Sequence, residues 1–299
     1  MKILSFDIEE WYIEKMFRGG EQWKYDAYDS MLERVLELLD RHGVKATFFC
    51  LGALAEHFPG VVRRIAAAGH EIGCHSLAHK WVNKQTPAEF LSETRDAVSA
   101  LQDCSGLPVT SYRAPAFSIG EKNIWAFDVL AECGIKNDAS VFPGTRDFGG
   151  FPAFAGNERP CRINTGINEI NEFPVTMGRI PFVGRPIAYS GGGYFRLLPL
   201  SFVKGQMDRT GYVMCYFHMA DLVDFKSRMM SRDEFERYFK VCGSLKNRTL
   251  RYVKSNLGRK RAFAGLSRLL DIYKFVSVEE AAAGLSEFPE IKLKGEGLT

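Results

Sequence analysis

Short, fully apolar runs alternate along the chain with segments of helical period. Ile3-Leu4-Ser5-Phe6, Ala46 to Leu51, Glu71 to Cys74, Val109 to Tyr112 and Tyr212 to Phe217 read as strands buried on both faces. Ile135 to Val141 and Lys274 to Val278 are further strand candidates. Apolar positions at Met31, Leu32, Val35, Leu36, Leu38 and Leu39 predict a helix capped by Asp29 and closed by Gly43. An amphipathic stretch follows over Gly60 to Ala68. Thr86-Pro87-Ala88-Glu89 and Ser231-Arg232-Asp233-Glu234 are capping boxes, the first opening a helix to Asp103. Another helix is predicted from Glu121 to Cys133. Strand and helix in repeated alternation imply parallel βα units, hence an α/β fold.

The alternation breaks between Phe142 and Pro199, which is rich in Gly, Pro and Phe and has little helical period. Here the pattern predicts a long excursion of loops and short strands, the kind of insertion that usually serves as a lid or binding loop. It includes Asn171 to Thr176 and Ser190 to Phe195. From Ser286 a polar tail is predicted, and neither an internal repeat nor a linker divides the chain, so residues 1–285 read as one domain and 286–299 as the tail.

Composition is that of an ordinary globular protein: 299 residues, 46% hydrophobic and 25% charged, with a net charge of +3 that implies no nucleic-acid partner. The basic excess is local. Lys246, Arg248, Arg251, Lys254, Arg259, Lys260 and Arg261 form either a solvated helix face or a patch for an anionic surface, so peripheral membrane contact stays open. The seven cysteines are scattered without a C-x-x-C pair, which indicates neither a disulfide framework nor a cysteine zinc site. Charge comes too early for a signal-peptide core, and no apolar run reaches the length of a membrane span. The expected location is cytoplasmic.

Chemistry collects at strand ends. Asp7, the His75/His79 pair, Arg113, Asp138 and His218 each fall at the C-terminal end of a different predicted strand, the edge at which parallel barrels and sheets build their sites. Two imidazoles four residues apart can face one ion from a single helical turn, or one can cap a helix while the other is a surface residue. His42 and His57, at helix C-termini, read as dipole partners.

Four stretches in order carry a family resemblance: Ser5-Phe6-Asp7-Ile8-Glu9-Glu10-Trp11, His75-Ser76-Leu77-Ala78-His79, Arg113-Ala114-Pro115-Ala116-Phe117, and a strand ending in His218. Together they resemble the polysaccharide deacetylases, also called the NodB-homology family or carbohydrate esterase family four, over residues 1 to 285. Glu172 to Thr176 and Gly191 to Pro199 look like its cytoplasmic branch. The resemblance implies a distorted (β/α)7 barrel hydrolysing an N-acyl group from an amino sugar with one divalent metal, zinc first, with Co, Ni, Mn or Fe as alternatives. Carried over by position, Asp7 looks like the general base and His75 and His79 look like ligands. Arg113 is similar to the arginine that orients the base, His218 to the general acid, and the backbone near Ala116 to an oxyanion donor. Asp138, at another strand tip, joins the catalytic set.

The family commonly has adjacent aspartates, the second a metal ligand, whereas Ile8 follows Asp7 here. Some branches use Asp-x-Asp, so Glu9 is taken as the third ligand, with Glu10 as the alternative. Met219-Ala220-Asp221 after His218 is a second departure. Trp11, Tyr12, Phe117, Tyr194 and Phe195 are candidates for an aromatic surface under a sugar ring. The implied substrate is an N-acetylated or otherwise N-acylated amino sugar, nucleotide- or lipid-linked, in the assembly of a cell-surface polysaccharide. The rivals are hydrolysis of a small non-sugar amide or ureide, and a catalytically silent glycan-binding barrel. Oligomeric state is not legible.

Overall fold

The computed structural model describes residues 1–299 apart from 147, 180–185, 240, 295–296 and 299, so parts of the predicted excursion and tail lie outside the described residues. The strands are β1 (Lys2–Ile8), β2 (Thr47–Cys50), β3 (Glu71–Cys74), β4 (Ser111–Tyr112), β5 (Asn137–Asp138), β6 (Cys161–Asn164), β7 (Glu169–Glu172), β8 (Gly178–Arg179), β9 (Pro186–Ile187), β10 (Val213–His218) and β11 (Glu290–Lys294). Their order across the main sheet is β10-β1-β2-β3-β4-β5-β7-β6-β11, with a tenth, two-residue strand, β12 (Gly297–Leu298), antiparallel to β11. Every neighbouring pair from β10 through to β7 is parallel, which supplies the seven strands of the expected (β/α)7 barrel.

Strand β1 shows why such runs are apolar throughout. Leu4, Phe6 and Ile8 point out to the helices, among them α2 (Gln22–Arg41), while Ile3 packs inside with Phe49, Phe173 and Met214. Gly73 gives Phe49 its room, since a Cβ there would lie 2.5 Å from the Phe49 ring. No ladder joins β7 to β10 among the described residues; hydrogen bonds close that seam instead. Met214 N donates to Thr176 Oγ1 at 2.7 Å and the Tyr212 hydroxyl donates to Pro174 O at 2.7 Å. The Glu172-to-Thr176 stretch is therefore the closing strip of a distorted barrel.

Several expectations change. Helix α1 (Glu10–Phe17) starts immediately after β1, and α2 begins at Gln22, so Asp29 lies inside a helix rather than capping it. Buried Lys24 pairs with Glu14 at 2.7 Å and ties the two helices together, a tertiary contact invisible in the local pattern. Helix α3 (Gly52–His57) is an additional helix just after β2, while α4 (Pro59–Ala67), α5 (Pro87–Ser105) and α6 (Trp125–Glu132) fall where the period predicts or within a few residues of it. Within the excursion, β6–β7 and β8–β9 are antiparallel pairs, but Gly192–Leu197 is helix α7. Helices α8 (Leu200–Arg209), α9 (Met219–Leu222), α10 (Arg232–Phe239), α11 (Leu245–Asn256), α12 (Arg259–Ile272) and α13 (Val278–Ala283) complete the chain. The strand predicted at Lys274 to Val278 reduces to one bridge, Ile3 with Val276. The tail is not free: β11 pairs in parallel with β6. Among the described residues no helix is long and apolar enough to cross a membrane.

Candidate active site and metal centre

Glu9 ends the extended path of β1, and His75 follows β3 directly. The His75–His79 segment is not the helical turn that the spacing suggested. Ser76 (φ 70°) and His79 (φ 61°) are both left-handed, and Ser76 Oγ accepts from His79 N at 3.0 Å, which folds the second imidazole back toward the first. Strained backbone of this kind persists where surrounding structure over-determines it. One donor atom each from Glu9, His75 and His79 lies within 4.8 Å of the others.

These residues fit a cation. His75 Nδ1 donates to Arg113 O at 2.7 Å, which leaves Nε2 with its lone pair facing Glu9. Glu9 Oε2 lies 2.8 Å from His79 Nε2 and 3.6 Å from His75 Nε2, yet this buried oxygen makes no hydrogen bond of normal geometry. Three convergent donors around an orphaned carboxylate oxygen are what a small divalent ion satisfies. Glu10 points elsewhere: its Oε1 accepts from Ala220 N at 2.7 Å, and burial pushes its carboxyl up to about 7.

Asp7 sits inside the barrel. Arg113, fully buried, donates from one terminal nitrogen to Asp7 Oδ1 at 2.8 Å and to Ser5 Oγ at 2.9 Å, and its guanidinium covers the Phe49 ring at 4.3 Å. Burial alone would push the Asp7 carboxyl up, but Arg113, His75 and His218 outweigh it and hold the group below its usual range. Across the site, His218 Nε2 is 3.8 Å from both Asp7 Oδ2 and Glu9 Oε1. Its Nδ1 lies 3.2 Å from Asp221 Oδ2. Burial works against a charged imidazole, yet Asp221, Glu9 and Asp7 carry the His218 pKa up to about 10.

Asp138 stands apart from this group. Its carboxyl accepts from Ser140 Oγ at 2.6 Å and from Ser140 N at 3.2 Å, and it lies against Glu172, so its predicted catalytic place becomes a structural one. Burial raises both acids, and in Glu172 the neighbouring Asp138 raises it further, so the two share a proton. The native state keeps a proton that the unfolded chain releases near pH 4, so stability falls as pH rises above that value toward the raised folded pKa. Between pH 5 and 8, wild-type Tm should drop by about 5 °C more than that of Glu172→Gln. Parallel Tm curves for the two proteins would refute the shared proton.

The aromatic candidates are mostly core. Trp11 is 1% exposed and packs on Tyr28, so it offers no face to a ligand in this site. Phe117 packs against Phe142 and Tyr216, with Arg113 behind it at 5.9 Å. Ala116 (φ 56°) and Phe117 (φ 53°) form a left-handed turn just after Arg113. Tyr194 is exposed on α7, and among the described contacts none joins it to the carboxylates or histidines. Two partners escaped the sequence. Asp221, three residues after His218, forms a capping box with it, a spacing that could have been read. Tyr238 on α10 stacks on His79 at 5.7 Å and carries no motif signal. The Gly191-to-Pro199 stretch contributes Arg196, whose Nε is 3.0 Å from Asp221 Oδ1 and which also donates to Ser255 O and Lys254 O.

A parallel (β/α) barrel thus carries a Glu/His/His cluster, a buried Asp–Arg pair and a His–Asp pair together at its strand ends. The Polysaccharide deacetylase family profile matches residues 25–137, and a domain of unknown function (DUF3473) matches residues 139–283. The polysaccharide deacetylase match thus lies in the part of the chain that carries β2 to β4 and both histidines of the cluster. It is 37% identical over 131 residues to a peptidoglycan-N-acetylglucosamine deacetylase of Bacillus cereus, covering 38% of this chain and 48% of that one. It is 36% identical over 108 residues to a chitooligosaccharide deacetylase of a Bradyrhizobium species, covering 36% and 47%. The chain thus spans less than half the length of these curated relatives. A crystal structure from Mycobacterium smegmatis, grouped with the polysaccharide deacetylases, superposes with a TM-score of 0.62 at 18% identity over 94% of this chain and 88% of that one, which supports the fold.

Proposed function

We propose that the protein is a metal-dependent N-deacetylase that removes an acetyl group from an amino sugar. The observation that carries this reading is the convergence of Glu9, His75 and His79 beside an acid and a base: His218 Nε2 is 3.8 Å from both Asp7 Oδ2 and Glu9 Oε1. The names of the matched relatives, which act on peptidoglycan N-acetylglucosamine and on chitooligosaccharides, support the substrate class. Zinc is the first choice for a cation held by Glu9, His75 and His79; it would supply Lewis acidity, polarising the acyl carbonyl and acidifying a water.

The chain's own groups divide the proton work. Arg113 occupies Asp7 Oδ1 and so leaves Oδ2 facing the site, where it accepts a proton from the attacking water. Asp221 fixes His218 through Nδ1 and keeps the imidazole charged, so Nε2 delivers a proton to the leaving nitrogen. Arg196 in turn holds Asp221. Amide hydrolysis needs that acid because an amine is a poor leaving group.

A cytoplasmic setting and a nucleotide- or lipid-linked precursor complete the reading. Metal-replete protein incubated with an N-acetylated chitooligosaccharide and with a carrier-linked N-acetylamino sugar should release acetate and free amine, faster from the second. Preference for finished polymer would overturn the precursor part. Failure on every acetylated sugar, with turnover of a ureide, would favour the small-amide rival; failure on all of them would leave the silent glycan-binding barrel.

A further inference from the structure

Three arginines from distant parts of the chain, Arg18, Arg146 and Arg251, lie around this site with no carboxylate partner among the described residues. Arg18 follows the end of α1, where Phe17 packs edge-on against Tyr238 at 5.3 Å, and Tyr238 itself stacks on His79. Arg251 on α11 lies over Phe239 at 4.8 Å, and Phe239 continues through Phe148 to the Trp81 ring. Arg146, in the loop after β5, lies over Phe117 at 4.9 Å and Phe142 at 4.7 Å. Among the described residues no Asp or Glu oxygen lies within ion-pair distance of any of the three, in contrast to the buried Arg113 and Arg196 of the site itself. Arg18 Nε, buried, has no hydrogen-bond acceptor at all.

Like charges held near one another repel, and long flexible side chains swing apart unless something offsets the cost. Here aromatic faces pin Arg146 and Arg251 in place. Arg251 is exposed. Desolvation by neighbouring protein atoms, then Arg18 and Arg146, pull its pKa down, while Tyr238 and Glu9 oppose them. Geometry links Arg146 and Arg251 to the site: Phe148, two residues after Arg146, stacks on Phe239 beneath Arg251, and Tyr238, beside Phe239, stacks on His79. A guanidinium presents a planar fork that matches carboxylate and phosphate oxygens, so unpaired forks at a reachable rim suit an anionic group.

We propose that Arg18, Arg146 and Arg251 form a subsite for an anionic group carried on the substrate beside the acetylated sugar, either the carboxylate of a uronate or a phosphate. The proposal rests on the deacetylase reading for its substrate and narrows that substrate to an acidic saccharide.

The test compares kcat/KM for three saccharides: a neutral tetra-N-acetylchitotetraose, the same chain with a neighbouring sugar oxidised to a uronate, and an N-acetylamino sugar bearing a phosphate. The wild type is set against the double variant Arg146→Gln/Arg251→Gln, with Arg95→Gln, whose partner is Glu132 on the outer surface, as the charge control. Two charge-assisted contacts are each worth about tenfold or more, so one anionic saccharide should exceed the neutral one by about tenfold to a hundredfold. In the double variant that ratio should fall toward one, and in Arg95→Gln it should not move. Which anionic saccharide responds separates uronate from phosphate. A ratio near one in the wild type, with deacetylation intact, overturns the subsite and leaves the deacetylase reading standing. Binding of inorganic phosphate by calorimetry covers the converse. If no sugar is deacetylated but phosphate binding is lost in the double variant, the reading fails and the subsite survives; if phosphate does not bind either, both fail.

Discussion

Asp7→Asn should lower kcat for amide hydrolysis by about 10²- to 10⁴-fold, the usual contribution of a positioned general base, with little change in Tm. The asparagine keeps an oxygen that accepts from Arg113, as Asp7 Oδ1 does at 2.8 Å, so the buried guanidinium retains a partner. What disappears is the basic second oxygen facing His218. Arg113→Met is the informative contrast. It strands the Asp7 carboxylate in the barrel interior, and an unpaired buried charge of this kind costs about 3–5 kcal/mol. The first variant should therefore be folded and nearly inactive, and the second should be hard to fold. Stopped assays of acetate release together with thermal melts check both. Asp7→Asn within threefold of wild-type turnover would remove Asp7 from the proton-accepting role.

The sequence was most legible where one residue type does two jobs. Buried parallel strands must be apolar on both faces, so their positions stood out, and a charged residue at the end of such a run is conspicuous because burial makes it costly. Asp7, His75, Arg113 and His218 were found on that ground, and the structure brings them to one place. Asp138 met the same criterion and lies elsewhere, because a strand tip can also point into a shared-proton pair, here with Glu172. Local pattern could not show this: the pairing depends on β7 lying beside β5, a register set by the barrel. Trp11 was misread because an aromatic residue beside a carboxylate looks the same whether it faces a ligand or, as here, Tyr28. The α1–α2 junction was missed for the same reason, its Lys24–Glu14 pair being tertiary. Tyr238 and the arginine rim come from α1, α10, α11 and the loop after β5, and no spacing rule joins residues so far apart in the chain.

Glu9 and Glu10, the two candidates for the third ligand, sit in different surroundings, Glu9 with both imidazoles and Glu10 with Ala220 N, and this difference gives the second large effect. Glu9→Gln removes the carboxylate whose orphaned oxygen lies between the two imidazoles, so bound metal and activity should fall together. Partners outside the ligand set typically cost 10- to 100-fold in metal affinity when altered, so loss of a ligand should cost more than about a hundredfold. Glu10→Gln keeps an acceptor for Ala220 N, the contact that fixes the turn carrying His218, and touches neither imidazole. It should hold wild-type metal content and lose only a modest part of kcat through a looser His218. Metal analysis after dialysis, with both variants beside the wild type, decides the matter: full metal in Glu9→Gln with depletion in Glu10→Gln would transfer the third ligand to Glu10. Chelation of the wild type provides the reference state, since it should reproduce the Glu9→Gln activity loss and be reversed by added zinc, whereas the Glu9→Gln loss should resist rescue at the same zinc concentration.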